Sequence, residues 1–190
     1  MQKNKSIDMM PIAPLMIEHR LIERMVKLMK GELERVGEGN TVNLSFVDTA
    51  ADFLRTYVDE CHHGKEEAIL FSHLSKKKLS LEHARLLQEL MDDHVFGRNI
   101  VSKMVDAKQR YSLGDTQAEH EIVDHLQNLT EFYPLHIDKE DRNFFVPSME
   151  YFDKGEKNAM LHDSWEFDRK MIHKKYQEIV KQLEDHTPKS

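Results

Sequence analysis

The feature that most constrains the fold is the spacing of the apolar residues, which recur three and four positions apart over long stretches. In the first stretch these residues are Leu15, Met16, Ile22, Met25, Val26, Met29 and Leu33. Such a stripe covers one side of an α-helix. Clear alternation of apolar and polar residues, which would indicate β-strands, is missing, and the 190 residues include only 7 glycines and 5 prolines. The sequence therefore predicts an all-α protein.

Short polar segments divide the chain into five predicted helices. The breaks between the first four are EGN at 38–40, KKKLS at 76–80 and LGDT at 113–116. Four long helices joined by short turns favour an up-down-up-down four-helix bundle. The predicted organisation is an N-terminal tail at 1–10, the bundle at 11–147, and an additional C-terminal helix with a tail at 148–190.

Charge and composition exclude several classes of function. The net charge of −7 argues against general nucleic-acid binding, which needs a basic surface. No apolar run approaches the roughly 20 residues that span a bilayer, so no membrane association is expected. The first residues lack the apolar core of a secretory signal. A single cysteine, Cys61, cannot form an internal disulfide, and a cytoplasmic location is therefore expected.

Two segments place a histidine and a glutamate four residues apart. His63 and Glu67 lie in HHGKEEAILF, and His136 and Glu140 lie in HIDKEDRNFF. In an α-helix this spacing is about one turn, roughly 6 Å along the axis, with both side chains on one side. An imidazole and a carboxylate in this arrangement can share one metal ion, or the carboxylate can bridge two ions.

The first of these segments contains a second pair with the same spacing, His62 and Glu66. At about 100° per residue, one direction of the helix is shared by Phe53, Gly64 and Phe71. His63 and Glu67 lie on the flank of this apolar side, whereas His62 and Glu66 point toward solvent. The helical projection therefore predicts His63 and Glu67 as ligands and His62 and Glu66 as surface residues.

One histidine from each of the four bundle helices is expected at the same depth. His19, His63, His94 and His136 all fall in or beside an apolar stripe, and the sequence midpoint of each successive pair falls in a predicted turn. Buried together with two carboxylates, these imidazoles would be unfavourable without a metal ion. Mixed imidazole and carboxylate ligands suit iron, manganese or zinc rather than calcium, and two bridging carboxylates favour a pair of ions.

Taken together, four segments resemble the hemerythrin-like family, the histidine–histidine–glutamate cation-binding domains. They are IEHRLIERM around His19, HHGKEEAILF around His63 and Glu67, MDDHVFGR around His94, and HIDKEDRNFFVP around His136 and Glu140. The resemblance covers about residues 12–147. It implies a non-heme di-iron site in a four-helix bundle, in which the two glutamates bridge the irons and each iron takes two histidines.

Two departures from the oxygen-carrying members of that family bear on function. Their third helix supplies two histidines one turn apart, whereas Leu90 and Arg98 stand one turn from His94 here. Their bridging aspartate is replaced by Glu140. The resemblance therefore implies sensing of iron or oxygen, or repair of iron centres, more than reversible oxygen carriage. One coordination position is expected to be open, filled by solvent, or occupied by Glu66.

Three hypotheses follow. The first is a di-iron protein that binds or senses O2, peroxide or NO. The second is a di-iron enzyme, either a peroxidase or oxidase or a donor of iron to damaged centres, although the sequence shows no route for electrons. The third is a metal-free helical interaction module, supported only by the fifth helix. That helix is expected to cover the bundle or to form a homodimer interface.

Overall fold

The computed structural model describes the backbone of residues 10–186 and the side chains of residues 10–171. The predicted N-terminal tail, apart from residue 10, and the last four residues of the predicted C-terminal tail lie outside this range. Within it the chain forms helices and contains no β-strand. The prediction of an all-α protein is therefore confirmed. None of the helices in this range is both long enough and apolar enough to cross a membrane.

Five long helical stretches make up the described chain. Helix α1 is Ala13–Gly37, α2 covers 44–74, α3 is Leu81–Ser112, α4 covers 118–148 and α5 is Lys154–His186. Side chains cap two of these helices at their N-termini, because Asn43 accepts a hydrogen bond from the Phe46 amide and Ser80 accepts one from the His83 amide. The residues Met149–Tyr151 form a short 3₁₀ turn before α5.

Helices α2 and α4 are not α-helical throughout. Two segments of α2, Phe53–His63 and Glu66–Phe71, are π-helical, and so is Lys139–Phe145 in α4. A π-helix bonds each residue to the fifth along rather than the fourth, and such segments often occur at functional sites. Both glutamate positions of the predicted motifs fall inside these segments.

Two apolar clusters fill the interior, with a layer of polar side chains between them. One cluster includes Ile22 and Val101, and the other includes Leu15 and Leu90. Along α1 the buried His19 lies between Leu15 and Ile22, and along α3 the buried His94 lies between Leu90 and Val101. The polar layer is thus shielded from water on both sides by well-packed side chains.

Helix α5 packs against the middle of α2, close to this layer. The ring of Phe167 lies over Gly64, where an added Cβ atom would come within 2.8 Å of the ring carbon Cζ. Lys65, only 1% exposed, is held between Glu18 of α1 and Asp168 of α5. Glycine at position 64 therefore allows α5 to cover the segment of α2 that carries the site residues.

Candidate metal centre

Two groups of buried side chains each bring several potential metal-ligating atoms within 4.8 Å of one another. The first group contains three histidines, and the second contains two histidines and two glutamates. The members of the first are His63, His94 and His136, and the members of the second are His19, His62, Glu66 and Glu140. Every residue in both groups is at most 2% exposed.

The two glutamates connect the groups. Glu66 lies with Oε1 3.2 Å from Nε2 of His62 and with Oε2 3.3 Å from Nε2 of His94. Glu140 lies with Oε2 3.2 Å from Nε2 of His19 and 3.4 Å from Nε2 of His136. Each carboxylate therefore lies close to one histidine of each group.

The atoms that face one another in this layer are not satisfied by hydrogen bonds. The Nε2 atoms of all five histidines and all four oxygens of the two glutamates have no hydrogen-bond partner among the described residues. Buried polar groups are nearly always paired, and burying an unpaired one is unfavourable. A set of buried nitrogen and carboxylate ligands that point at one another without bonding fits a site for metal cations.

The other ring nitrogen, Nδ1, of each histidine faces a carboxylate outside the layer. Four of the five donate a hydrogen bond, and the fifth is farther from its carboxylate. The Nδ1–oxygen distances are 2.8 Å for His19 and Asp141, 2.9 Å for His62 and Glu18, 2.7 Å for His94 and Glu67, 3.2 Å for His136 and Asp93, and 3.5 Å for His63 and Asp59. A carboxylate at this position fixes the tautomer and orientation of a metal-ligating histidine.

Basic side chains hold these outer carboxylates in turn. The pairs are Arg20 with Asp141, Lys65 with Glu18, Lys139 with Asp93, and Arg98 with both Asp59 and Glu67. The outer carboxylates are thereby oriented toward the histidines. The whole arrangement positions Nε2 of each ring for a cation in the centre of the layer.

Electrostatics in the metal-free protein reflect the crowding of these groups. Burial disfavours the charged form of His19, but Asp141 and Glu140 outweigh it and raise the pKa to about 10. Burial likewise opposes the charge on His94, and the surrounding glutamates raise its pKa to about 11. Burial lowers the pKa of His63 well below its ordinary value. Metal cations bind deprotonated imidazole, so a cation that binds here displaces the protons that the raised pKa values keep on His19 and His94.

The two central glutamates stay ionised despite their burial. Burial and the charge of Glu66 both raise the pKa of Glu140. The three histidines His136, His19 and His94 lower it more strongly, so that it falls to about 2. Burial also raises the pKa of Glu66, and His62 and His94 bring it well below the ordinary value. Both carboxylates are therefore available as anionic ligands at neutral pH.

Five of the six predicted ligands meet in this layer. His19, His63, His94 and His136 belong to the two groups, as does Glu140. Glu67 belongs to neither group. Its side chain is 34% exposed, and its carboxylate accepts hydrogen bonds from Nδ1 of His94 and from Arg98. The geometry thus places Glu67 behind a predicted ligand rather than between two of them.

The prediction that His62 and Glu66 are surface residues is wrong. Their side chains are 1% and 0% exposed, and both belong to the second group. The projection assumed 100° per residue from Phe53 onward, whereas Phe53–His63 is π-helical and turns less per residue. The error in angle accumulates along the segment and brings His62 and Glu66 round to the interior.

One feature of the sequence does indicate the outer carboxylates. Acidic residues stand directly beside the ligating positions, as Glu18 does before His19, Glu67 after Glu66 and Asp141 after Glu140. An acidic residue next to a buried site residue points in a different direction from the helix axis. Each of these three acids instead reaches Nδ1 of a histidine on another helix. Within the doublet EE at 66–67 the pattern predicts one residue in each role, and the helix type decides which glutamate takes which role.

The all-helical fold and the buried donor set define a helical protein with a binding site for metal cations. A family model described as the hemerythrin HHE cation binding domain matches residues 10–146. The chain belongs to this family, and the resemblance carried by the four sequence segments is confirmed. No curated protein and no solved structure matches the chain.

Proposed function

We propose that the chain binds two iron ions and uses them to bind or sense O2, peroxide or NO. His63, His94 and His136 would hold one ion, His19 and His62 the other, with Glu66 and Glu140 shared between them. The observation that supports this most directly is the set of five unpaired Nε2 atoms around two unpaired carboxylates. The proposed ligand set thus has five histidines where the sequence predicted four, and Glu66 in place of Glu67.

Iron is preferred over zinc because of the number of donors, and over manganese because of the redox chemistry that the proposed ligands need. Mixed imidazole and carboxylate ligands suit all three metals, while zinc sites are almost always four-coordinate. Here five histidines and two glutamates surround two positions, and because each shared glutamate would count at both, at least one position would have more than four donors. Iron held in this way supplies the redox chemistry that recognition of O2, peroxide or NO needs.

The residues of this chain would orient the ligands and exclude water. The outer carboxylates hold four of the imidazole rings by hydrogen bonds, so those rings need not reorganise when a small molecule binds. The apolar clusters on both sides of the layer lower the local polarity and keep water away, which would slow the reaction of water with the oxidised site. Binding or sensing needs no more than this.

A di-iron enzyme is the second candidate. A peroxidase or oxidase needs access for a small substrate, and a cavity reaches one histidine of the site. Reductant-dependent turnover of hydrogen peroxide by iron-loaded protein, lost in His63→Ala, would support this candidate. Absence of turnover with every donor tested would favour binding or sensing. Donation of iron to damaged centres is a further form of this candidate, and it predicts transfer of iron to a metal-free acceptor.

We also infer that α1 to α4 alternate in direction as an up-down-up-down bundle. The inference is supported by the common layer of histidines and by the packing of α4 against both α1 and α3. A cytoplasmic location suits a chain with one cysteine and an oxidisable metal site. A homodimer through α5 is testable by sedimentation of the full chain.

The test of the proposed function is metal analysis of protein produced under iron-replete, anaerobic conditions. We expect about two irons per chain and an absorption spectrum that changes when reduced protein meets air or NO. Glu66→Gln and Glu140→Gln should each lower the iron content, whereas the surface control Arg85→Gln should not, since its side chain is 73% exposed. An iron content well below two per wild-type chain would contradict the proposal.

A further inference from the structure

A cavity of about 180 Å³ lies between α2, α3 and α4 at the edge of the metal centre. It is lined by both apolar and charged side chains. These are Leu54, Arg55, Asp59, His63, Gly97, Arg98, Val101 and Tyr133. Only one of them, His63, belongs to the buried groups of the site. The cavity therefore reaches the site from one side, at the three-histidine group.

His63 is held differently from the other histidines of the layer. Its Nδ1 lies 3.5 Å from Asp59, and neither of its ring nitrogens has a hydrogen-bond partner among the described residues. The carboxylate of Asp59 instead accepts a hydrogen bond of 2.6 Å from Nε of Arg98. The ring that faces the cavity is thus fixed by stacking on His94, with ring centroids 3.9 Å apart, rather than by a hydrogen bond to a carboxylate.

The charges around the cavity favour anions although the whole chain is acidic. The chain carries a net charge of −7. Two arginines line the cavity, Arg98 and the exposed Arg55, whereas Asp59 is the single acidic residue among the lining side chains. Arg98 is paired with both Asp59 and Glu67, so its charge is balanced, and Arg55 is the lining residue that adds positive charge. The charge of the exposed Arg55 gives the mouth of the cavity a local attraction for small anions.

We propose that this cavity is the entrance through which a small anion of two or three heavy atoms reaches the metal centre. Azide, nitrite and hydroperoxide have this size and charge. The anion is drawn in by Arg55, passes Arg98 and Gly97, and arrives beside His63. This inference rests on the proposed function for its metal-loaded test, and it has an independent test on metal-free protein.

Filling the cavity tests the route in iron-loaded protein, with azide as the probe. Gly97 borders the cavity, and a Cβ atom there would lie 3.8 Å from Oη of Tyr133 and 3.4 Å from the ring of Phe132. Gly97→Leu places a side chain in the passage, and Gly97→Ala is a milder variant. The matched control is Gly31→Leu, since a Cβ atom at Gly31 of α1 has nothing within 4 Å.

The expected result is slower azide association without loss of metal. Measured by stopped-flow absorbance, Gly97→Leu should lower the association rate constant by about tenfold, which is about 1.4 kcal/mol in the barrier. Gly97→Ala should fall between this variant and the wild type. Iron content and the temperature of unfolding are measured in parallel. An unchanged azide rate in Gly97→Leu with full iron content would overturn the proposal.

Removing charge at the entrance tests the preference for anions. Arg55→Gln should slow azide association by about 3-fold at low salt, a part of the roughly tenfold that a charged cleft supplies. The difference should vanish near 1 M salt, where the screening length is about 3 Å. Arg85→Gln removes the same charge from an exposed position on α3 and should leave the rate unchanged. Equal effects of the two variants would contradict a local entrance.

Hydroxyl-radical footprinting of metal-free protein tests the route without relying on iron. The radical is about as large as water and oxidises histidine, and mass spectrometry then locates the oxidised residue. His63 should be oxidised faster than His19 and His94, which do not line the cavity, and Gly97→Leu should protect it selectively. Equal oxidation of all three would overturn the proposed entrance. A chain that held no iron but showed selective oxidation of His63 would overturn the proposed function alone.

Discussion

The roles of the adjacent glutamates Glu66 and Glu67 can be separated by one pair of isosteric variants. Glu66 is fully buried and contacts His62 and His94 through different oxygens, so it is placed to serve two cations. Glu67 is partly exposed and contacts the outer nitrogen of His94 and the guanidinium of Arg98. Glu66→Gln and Glu67→Gln change the same functional group at neighbouring positions and should have very different effects on metal binding.

The expected loss for Glu67→Gln follows from its place behind His94. Replacing a carboxylate that orients a metal-ligating histidine lowers metal affinity by about 10–100-fold, or about 1.4–2.7 kcal/mol. The ion pair with Arg98 is about one-third exposed on both sides and adds at most about 1 kcal/mol. At saturating metal the loss of affinity lowers the unfolding temperature by about 3–11 °C for a chain of this length.

Glu66→Gln should instead abolish binding of at least one ion. The variant removes the charge and one strong ligand from both groups at once, leaving His62 and His94 to face a neutral amide. Iron per chain, measured after gel filtration, is the assay, and thermal unfolding with and without metal is the second readout. If Glu67→Gln lost its iron and Glu66→Gln kept two per chain, the assignment of these residues from the geometry would be wrong.

The remaining predictions concern stability. Chelation of bound metal should lower the unfolding temperature of the wild type, measured by calorimetry, because the cations bind only the folded site; no change would argue against a metal-linked fold. Gly64→Ala should destabilise the chain by about 1–3 kcal/mol in denaturant titrations, because the added Cβ lies 2.8 Å from Phe167; in Phe167→Ala the penalty should disappear. The hydrogen bonds from Arg35 lower the pKa of Glu32 below its ordinary 4.5, against the effect of burial. The ionised Glu32 therefore stabilises the fold above pH 4.5, and this contribution is lost as the pH falls through the lowered pKa. In denaturant titrations, the free energy of unfolding of Glu32→Gln should decline less steeply under acid than that of the wild type.

The sequence was sufficient for the fold class and for most of the site, for identifiable physical reasons. The apolar stripes depend only on local periodicity, which is why the all-helical fold could be predicted. His19 and His94 lie in regular α-helix, where a projection at 100° per residue holds, and both are buried in the predicted layer. His136 precedes the π-helical segment of α4, so the projection also predicted correctly that its side chain faces the interior. The depth of each histidine along its helix followed from its distance to the nearest turn, and the turns could be located from their polar sequences.

The sequence could not show which residues of the adjacent pairs at 62–63 and 66–67 face the interior, because this depends on the helix type. A π-helical turn shifts the face of a helix within a few residues, and nothing in the local composition of Phe53–His63 announces it. The shift turns His62 and His63 both to the interior, in different groups of the site. The π-helical segment is thus the structural reason that this chain can bring five histidines to one layer while α3 contributes only one.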